Sequence, residues 1–268
     1  LAKSAKKAGN VASEGEVRAS VLSDKRAASI VEVNIQTDFA ARNEAFKQFV
    51  ADVHALAHEA KHGADLSTHS IAGKTVADLA IELTAKIGEK IAVRRWDRVE
   101  IGSGKHGVCA AYVHLGGRIG VVLAVETEGA AAASHDAVVK FADDTCLQIA
   151  SMRPLVLKRD EVKADAIAKQ KEIFEAQLKE DPKTASKEAQ WPKMIEGKLN
   201  KWFAESTLLE QESVVTPGQT IEKLREAASK AAGAQVTITR FVRYELGEGI
   251  EKGPKDDFAA EVAKMAGG

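Results

Sequence analysis

Between residues 16 and 35 the chain alternates. Val17, Ala19 and Val21 fall on one face, "SDKR" interrupts, and Val31, Val33 and Ile35 resume the period of two. Two such runs around a polar tetrapeptide predict an antiparallel hairpin. At residue 43 the period changes. Phe46, Phe49, Val50, Val53, Leu56 and Ala57 recur at three- and four-residue spacing, which predicts a helix over residues 43–62. Thr75 is placed to cap a further helix that runs to about Ile87 and stops at Gly88. Three strand-like runs follow, "KIAVRRW", "GVCAAYVHL" and "RIGVVLAV", the last two joined by a turn at Gly116 and Gly117.

Residues 130–152 read as a helix ended ahead of Pro154, because the residue before a proline avoids helical backbone. Residues 160–209 carry two long charged segments. Val162, Ile167, Phe174 and Leu178 line the first, and Met194, Leu199, Trp202 and Phe203 the second. Narrow apolar seams of this kind predict a helical hairpin projecting from the globular part. A helix over 221–232, a strand in "QVTITRFVRYELGEG" and an amphipathic helix over 256–265 complete the pattern. The fold class is α+β: antiparallel sheets packed with helices in two core subdomains, a protruding helical hairpin insertion, and a C-terminal helix. The expected division is a linker at 1–14, a first core subdomain at 15–128, and a second at 129–159 and 210–250. The hairpin takes 160–209 and a C-terminal module 251–268.

Composition narrows the classes. With 268 residues, 45% hydrophobic and 29% charged, the chain has enough apolar material for a sizeable core. No apolar run approaches the 18 residues of a membrane span. Lys and Arg number 38 against 39 Asp and Glu, so no global field draws the chain to nucleic acid. Cys109 and Cys146 stand far apart in apolar surroundings and read as buried thiols of a reducing compartment. The opening "LAKSAKKAGNVASEGEV" has no apolar core of a secretory leader and reads as an Ala- and Lys-rich linker entered midway.

Motifs for chemistry fail on inspection. "GSGKHG" at 102–107 lacks the first Gly and the final Ser or Thr of a phosphate-binding loop, and reads as a turn between strands. In "HALAHEAKH", His54, His58 and His62 recur every four residues, a spacing by which imidazoles hold zinc. No thiolate lies near to complete such a site, so the three are expected on a solvated polar face, with no metal and no cofactor. Nothing frames a nucleophile, since no G-x-S-x-G elbow occurs. One stretch, "NIQTDFAARNEAF", remains unexplained. Phe39 follows an acid at the point where strand gives way to helix. On residues alone it is either core beside Val33 and Phe46 or an outward-facing contact.

The stretch "VNIQTDFAARNEAF" is very similar to the signature of the translation elongation factor Ts family, V-N-x-Q-T-D-F followed by a helix. "AKIGEKIAVRR" resembles the family's A-K-x-G-E-N-I-x-x-R-R, with Lys90 in place of Asn. "AKKAGNVASEG", "YVHLGGRIGVV", "LLEQESVV", "TPGQ" and "FVRYELGEGIEK" follow in family order, so the resemblance covers essentially the whole chain. It implies guanine-nucleotide exchange on elongation factor Tu, with no covalent catalysis and no cofactor. It implies that Asp38 and Phe39 enter the partner's nucleotide-binding domain beside its magnesium site, with Thr37 ahead of them as cap of the helix that leads through Asn43. Ile87, Gly88 and His114 match positions that meet the partner's third domain. Phe258 and Val262, with Met265, match the module that packs on its nucleotide-binding domain. The resemblance leads one to expect that the family's small N-terminal helical domain is missing ahead of residue 1, and the hairpin matches the family's coiled-coil or dimerisation insertion, so a homodimer through 160–209 is a further expectation.

Three rival readings carry less. A protein that keeps this fold without exchange activity fits poorly with an intact Asp-Phe pair. An RNA-binding protein has "AKSAKKAGN" and "AVRRWDR" in its favour, but neither net positive charge nor an aromatic-basic sheet motif. An enzyme lacks any constellation of catalytic groups. The cytosol is the expected compartment, with an organelle as the alternative; no membrane and no nucleic acid are expected as partners.

Overall fold

The computed structural model describes residues 11–251. Its first part runs β1 (Glu14–Val21), β2 (Ala27–Ile35), α1 (Asp38–Ala41), α2 (Glu44–Glu59), β3 (Ser70–Ile71), β4 (Lys74–Thr75), α3 (Val76–Ile87) and β5 (Ala92–Glu100). Then come β6 (His106–His114), β7 (Ile119–Thr127), α4 (Ala130–Ala133) and α5 (Asp136–Met152). Helices α6 (Ala164–Glu180), α7 (Trp191–Ser206) and α8 (Ile221–Ala232) precede the last strand, β8 (Val236–Glu245). Two three-stranded antiparallel sheets result, ordered β1-β2-β5 and β6-β7-β8, so the fold is α+β as expected.

Strand periodicity assigns the layers. On one face of β2, Val31, Val33 and Ile35 meet Phe46, Phe49, Val50 and Val53 of α2. On the other, Ala28 and Ile30 join Val17 and Val99 against Val122, Ala124 and Tyr244 of the second sheet. The far face of that sheet presents Val121, Leu123 and Val125 to Val138, Phe141 and Ile149 of α5 and to Ile221 and Ala228 of α8. The order is therefore helix, sheet, sheet, helix. Each fully buried Val, Leu, Ile or Phe side chain in these layers contributes roughly 1.5–3 kcal/mol relative to exposure. Gly120 permits the close approach of the sheets, since a Cβ there would fall 2.6 Å from Val17 Cγ1 and 3.0 Å from Ile30 Cδ1.

Because both its faces are covered, all nine residues of β2 are buried, polar ones included. Glu32 accepts hydrogen bonds from Arg94 Nη1 at 2.9 Å, Arg95 Nε at 2.5 Å, Asn34 Nδ2 at 3.1 Å and the Gly247 N–H at 2.8 Å. Burial alone would raise its pKa, but these four donors together outweigh burial and hold the carboxyl below its ordinary value. One carboxylate thus clasps the first sheet to the turn that follows β8.

Several expected boundaries shift. The helix expected over 130–152 is two: α4 ends at Ala133, and His135 caps α5, its ring accepting from the Ala137 N–H at 3.2 Å. The helix expected over 43–62 ends at Glu59, where Ala60 is extended. Thr75 caps α3 by accepting from the Asp78 N–H, and Gly88 closes it with φ of 82°, a left-handed turn that glycine takes without strain. Helices α6 and α7 pack as a hairpin around Leu178 and Leu199. Its ends meet: Val156 bridges Thr207, and the Leu208 N–H donates to Val156 O at 2.9 Å. The helix expected over 256–265, with Phe258 and Val262, lies outside the described residues.

Candidate docking site

The backbone leaves β2 and makes two successive helix starts. Thr37 is extended, with φ −125° and ψ 154°, and its hydroxyl accepts from the Ala40 N–H at 3.2 Å, starting α1. Six residues on, Asn43 is extended again and its Oδ1 accepts from the Ala45 N–H at 2.9 Å, starting α2. Thr37 therefore caps a separate single turn, Asp38–Ala41, and the expectation that it caps the helix leading through Asn43 is corrected. Two caps this close leave α1 too short to bury a face, and none of its residues is buried. Phe39, in its first turn, is 79% exposed. The alternative of a core Phe beside Phe46 is excluded, since Phe46 is fully buried under the first sheet and Phe39 is not.

Around the ring the contacts are polar. Asp38 Oδ2 lies 3.3 Å from Arg42 Nη2, and the same guanidinium stands 5.8 Å from the Phe39 ring centroid. Both partners are well exposed, so the ion pair stabilises little. Behind the turn stands Glu89, just after the Gly88 cap. Its Oε2 accepts from the Thr37 N–H at 3.0 Å, and its Oε1 and Oε2 lie 2.9 and 3.1 Å from Thr37 Oγ1. Thr37–Phe39 and Ile87–Gly88, far apart in the sequence, are thereby brought together. Ile87 is half-buried against the α2–α3 core, while Gly88 is exposed. Sequence reading passed over Glu89, since its partner is 52 residues away and no local period links them.

His114 stands apart, on the second sheet at the β6–β7 turn. Its ring stacks on Tyr112 with centroids 5.8 Å apart, and Tyr112 Oη lies 2.9 Å from His114 Nδ1. The next residue, Leu115, has a positive φ of 49° and is 66% exposed.

The histidines of α2 depart most from expectation. His54 is buried and His58 half-buried, so the solvated polar face is corrected. Helix α2 lies across the first sheet, and its i, i+4 histidines point into the seam, where hydroxyls and a carbonyl satisfy them. His54 Nε2 lies 3.2 Å from Ser29 O, and His58 lies 3.1 Å from Ser29 Oγ and 2.9 Å from Ser20 Oγ. Burial pushes the His54 pKa down to about 4, helped by repulsion from Arg18 and from His58 when protonated, and outweighing the hydrogen bond to Ser29 O, which raises it. His62 has left the helix and meets Asp97 at 3.0 Å. Among the described residues, no three His, Cys, Asp or Glu side chains are grouped to hold a metal. Cys109 and Cys146 are free and buried; burial pushes the Cys109 thiol up to about 12 and raises that of Cys146 as well. The "GSGKHG" turn is tied to the first hairpin through Arg26 Nη1, which donates to Lys105 O at 3.2 Å. Among the described residues, no helix is long and apolar enough to cross a membrane.

Phe39 is thus an aromatic ring held outward on a capped turn, with Glu89 hydrogen-bonded to that turn from behind. The comparisons give the class. The family described as "Elongation factor TS" has a model that matches residues 36–248. Relatives called "Elongation factor Ts" include one from Clostridium perfringens (strain SM101), 42% identical over 270 residues, covering all of this chain and 86% of the relative. The one from Clostridioides difficile (strain 630) is 41% identical over 99% of this chain and 84% of its own length. That of Symbiobacterium thermophilum is 41% identical over all of this chain and 84% of its own length. The chain belongs to the elongation factor Ts family, whose members are translation elongation factors.

Proposed function

We propose that this chain expels GDP from elongation factor Tu so that GTP can load, and that Asp38 and Phe39 are the wedge that does it. The observation that carries the reading is the 79% exposure of Phe39 on a capped turn. A large ring with two torsions loses little entropy when it is inserted into a partner. Exchange is a coupling of two binding events, each weakening the other by the same factor. Disturbing the partner's magnesium and phosphate surroundings is sufficient, so the chain acts without covalent catalysis and without a cofactor of its own. Ile87, Gly88 and His114 fit as contacts to a second domain of the partner, and Phe258 and Val262 as contacts to its nucleotide-binding domain. On this reading the chain works in the cytosol.

The test compares two measurements on one Phe39→Ala preparation. Its thermal melting should match the parent, since exposed substitutions cost within about 0.5 kcal/mol whereas a core Phe→Ala costs about 3–5 kcal/mol. Release of labelled GDP from elongation factor Tu should slow roughly tenfold, equivalent to about 1.4 kcal/mol of lost coupling. Asp38→Ala should act in the same direction and non-additively with it. Unchanged release per folded molecule overturns the wedge.

A further inference from the structure

From the geometry behind the Thr37 turn we infer that Glu89 is a positioning residue for the wedge, a carboxylate bracket that fixes the direction of Phe39 before any partner is met. The inference rests on the reading of Phe39 given above. Thr37 has two donors, its N–H and its hydroxyl, and both reach Glu89. The same hydroxyl oxygen accepts from the Ala40 N–H, which is the cap that winds α1. Donating to Glu89 while accepting from Ala40 orients the hydroxyl completely, so the carboxylate and the cap reinforce each other.

The apolar anchoring of this turn is thin, with Ala40 and Ala41 only half-buried against the first core. Helix α1 has no fully buried residue, and the ion pair of Asp38 with Arg42 lies within the turn itself. The bracket is different, because Glu89 belongs to another element. It follows the Gly88 cap of α3, and Ile87 anchors that end of the helix in the core. The turn is thereby referred to the body of the protein. A ring on a loosely held turn would swing aside on meeting resistance. On a braced turn its freedom is removed beforehand, and contact displaces the partner's groups instead.

Glu89→Gln and Glu89→Ala separate this role from a general one. Oε2 alone lies within reach of both Thr37 donors, at 3.0 and 3.1 Å. A Gln carbonyl oxygen in that place keeps the bracket without the charge, whereas Ala removes it. GDP release from elongation factor Tu is expected to slow about fivefold with Glu89→Ala and to stay within about twofold with Glu89→Gln, both melting as the parent does. A second readout needs no partner. With Phe39→Trp as reporter in the free protein, and the signal of Trp96, Trp191 and Trp202 removed by subtracting the same Glu89 variants with Phe39 in place, time-resolved anisotropy should show faster local motion of the added indole in Glu89→Ala and not in Glu89→Gln. Unchanged Trp motion in Glu89→Ala overturns the bracket. So does unchanged GDP release in Glu89→Ala while Phe39→Ala slows it. If Phe39→Ala itself leaves release unchanged, the wedge reading fails, and the anisotropy alone decides whether Glu89 orients the turn.

Discussion

Acidification should destabilise this protein through His54, and the size of the effect follows from its surroundings. Its Nε2 faces Ser29 O, which only accepts, so Nε2 carries the proton of the neutral ring and Nδ1 is the atom that titrates. A second proton would be buried beside His58, whose ring centroid is 4.6 Å away, and in the field of Arg18. His58 is itself held down by burial and by Arg98. The folded pKa of His54 is about 4, against an ordinary 6.5. Between these values the unfolded chain binds more protons than the folded one, so stability is complete above 6.5 and is lost as the pH falls towards 4. The full loss is about 3 kcal/mol, of which about 2 kcal/mol has been felt at pH 5. The assay is urea denaturation at pH 7, 6 and 5, on the parent and on His54→Gln, which keeps an N–H for Ser29 O but does not titrate. The gap between the two stability curves should close, or reverse, by about 2 kcal/mol on going to pH 5. If the curves stay parallel within about 0.5 kcal/mol, His54 is not the group that couples acid to unfolding.

Two further expectations concern the body of the fold. Glu32→Ala leaves Arg94 and Arg95 facing a buried gap and should cost about 3 kcal/mol in denaturation experiments; a loss below about 1 kcal/mol would mean the arginines find water without cost. Replacing residues 162–203 with a short Gly-Ser linker should leave GDP release within about threefold, because the ends of the hairpin meet at Val156 and Thr207. Light scattering on the same protein tells whether the hairpin also holds two copies together, and collapse of release with an unchanged circular dichroism spectrum would refute separability.

Much of this was legible in the residues. The hairpin alternation around "SDKR", the α2 stripe from Phe46 to Ala57 and the Thr75 and Gly88 ends of α3 are local, because they depend on backbone periods and caps within a few residues. The signature "TDF" singled out the Thr37 turn through resemblance, and the capped start at Thr37 made an outward Phe39 physically reasonable. What the residues left open was whether the ring is buried, since a Phe between strand and helix serves either use, and packing settled it at 79% exposed. Three other features came only from tertiary structure. A hydrophobic period assigns a face without saying what covers the opposite one, so the burial of Glu32 depended on the second sheet lying over β2. Helical spacing grouped His54 and His58 but placed them outward; the crossing of α2 over the sheet turned them to Ser20 and Ser29. And Glu89 reached Thr37 across 52 residues because the end of α3 is packed beside the end of β2, a contact made by the core and not by either segment alone.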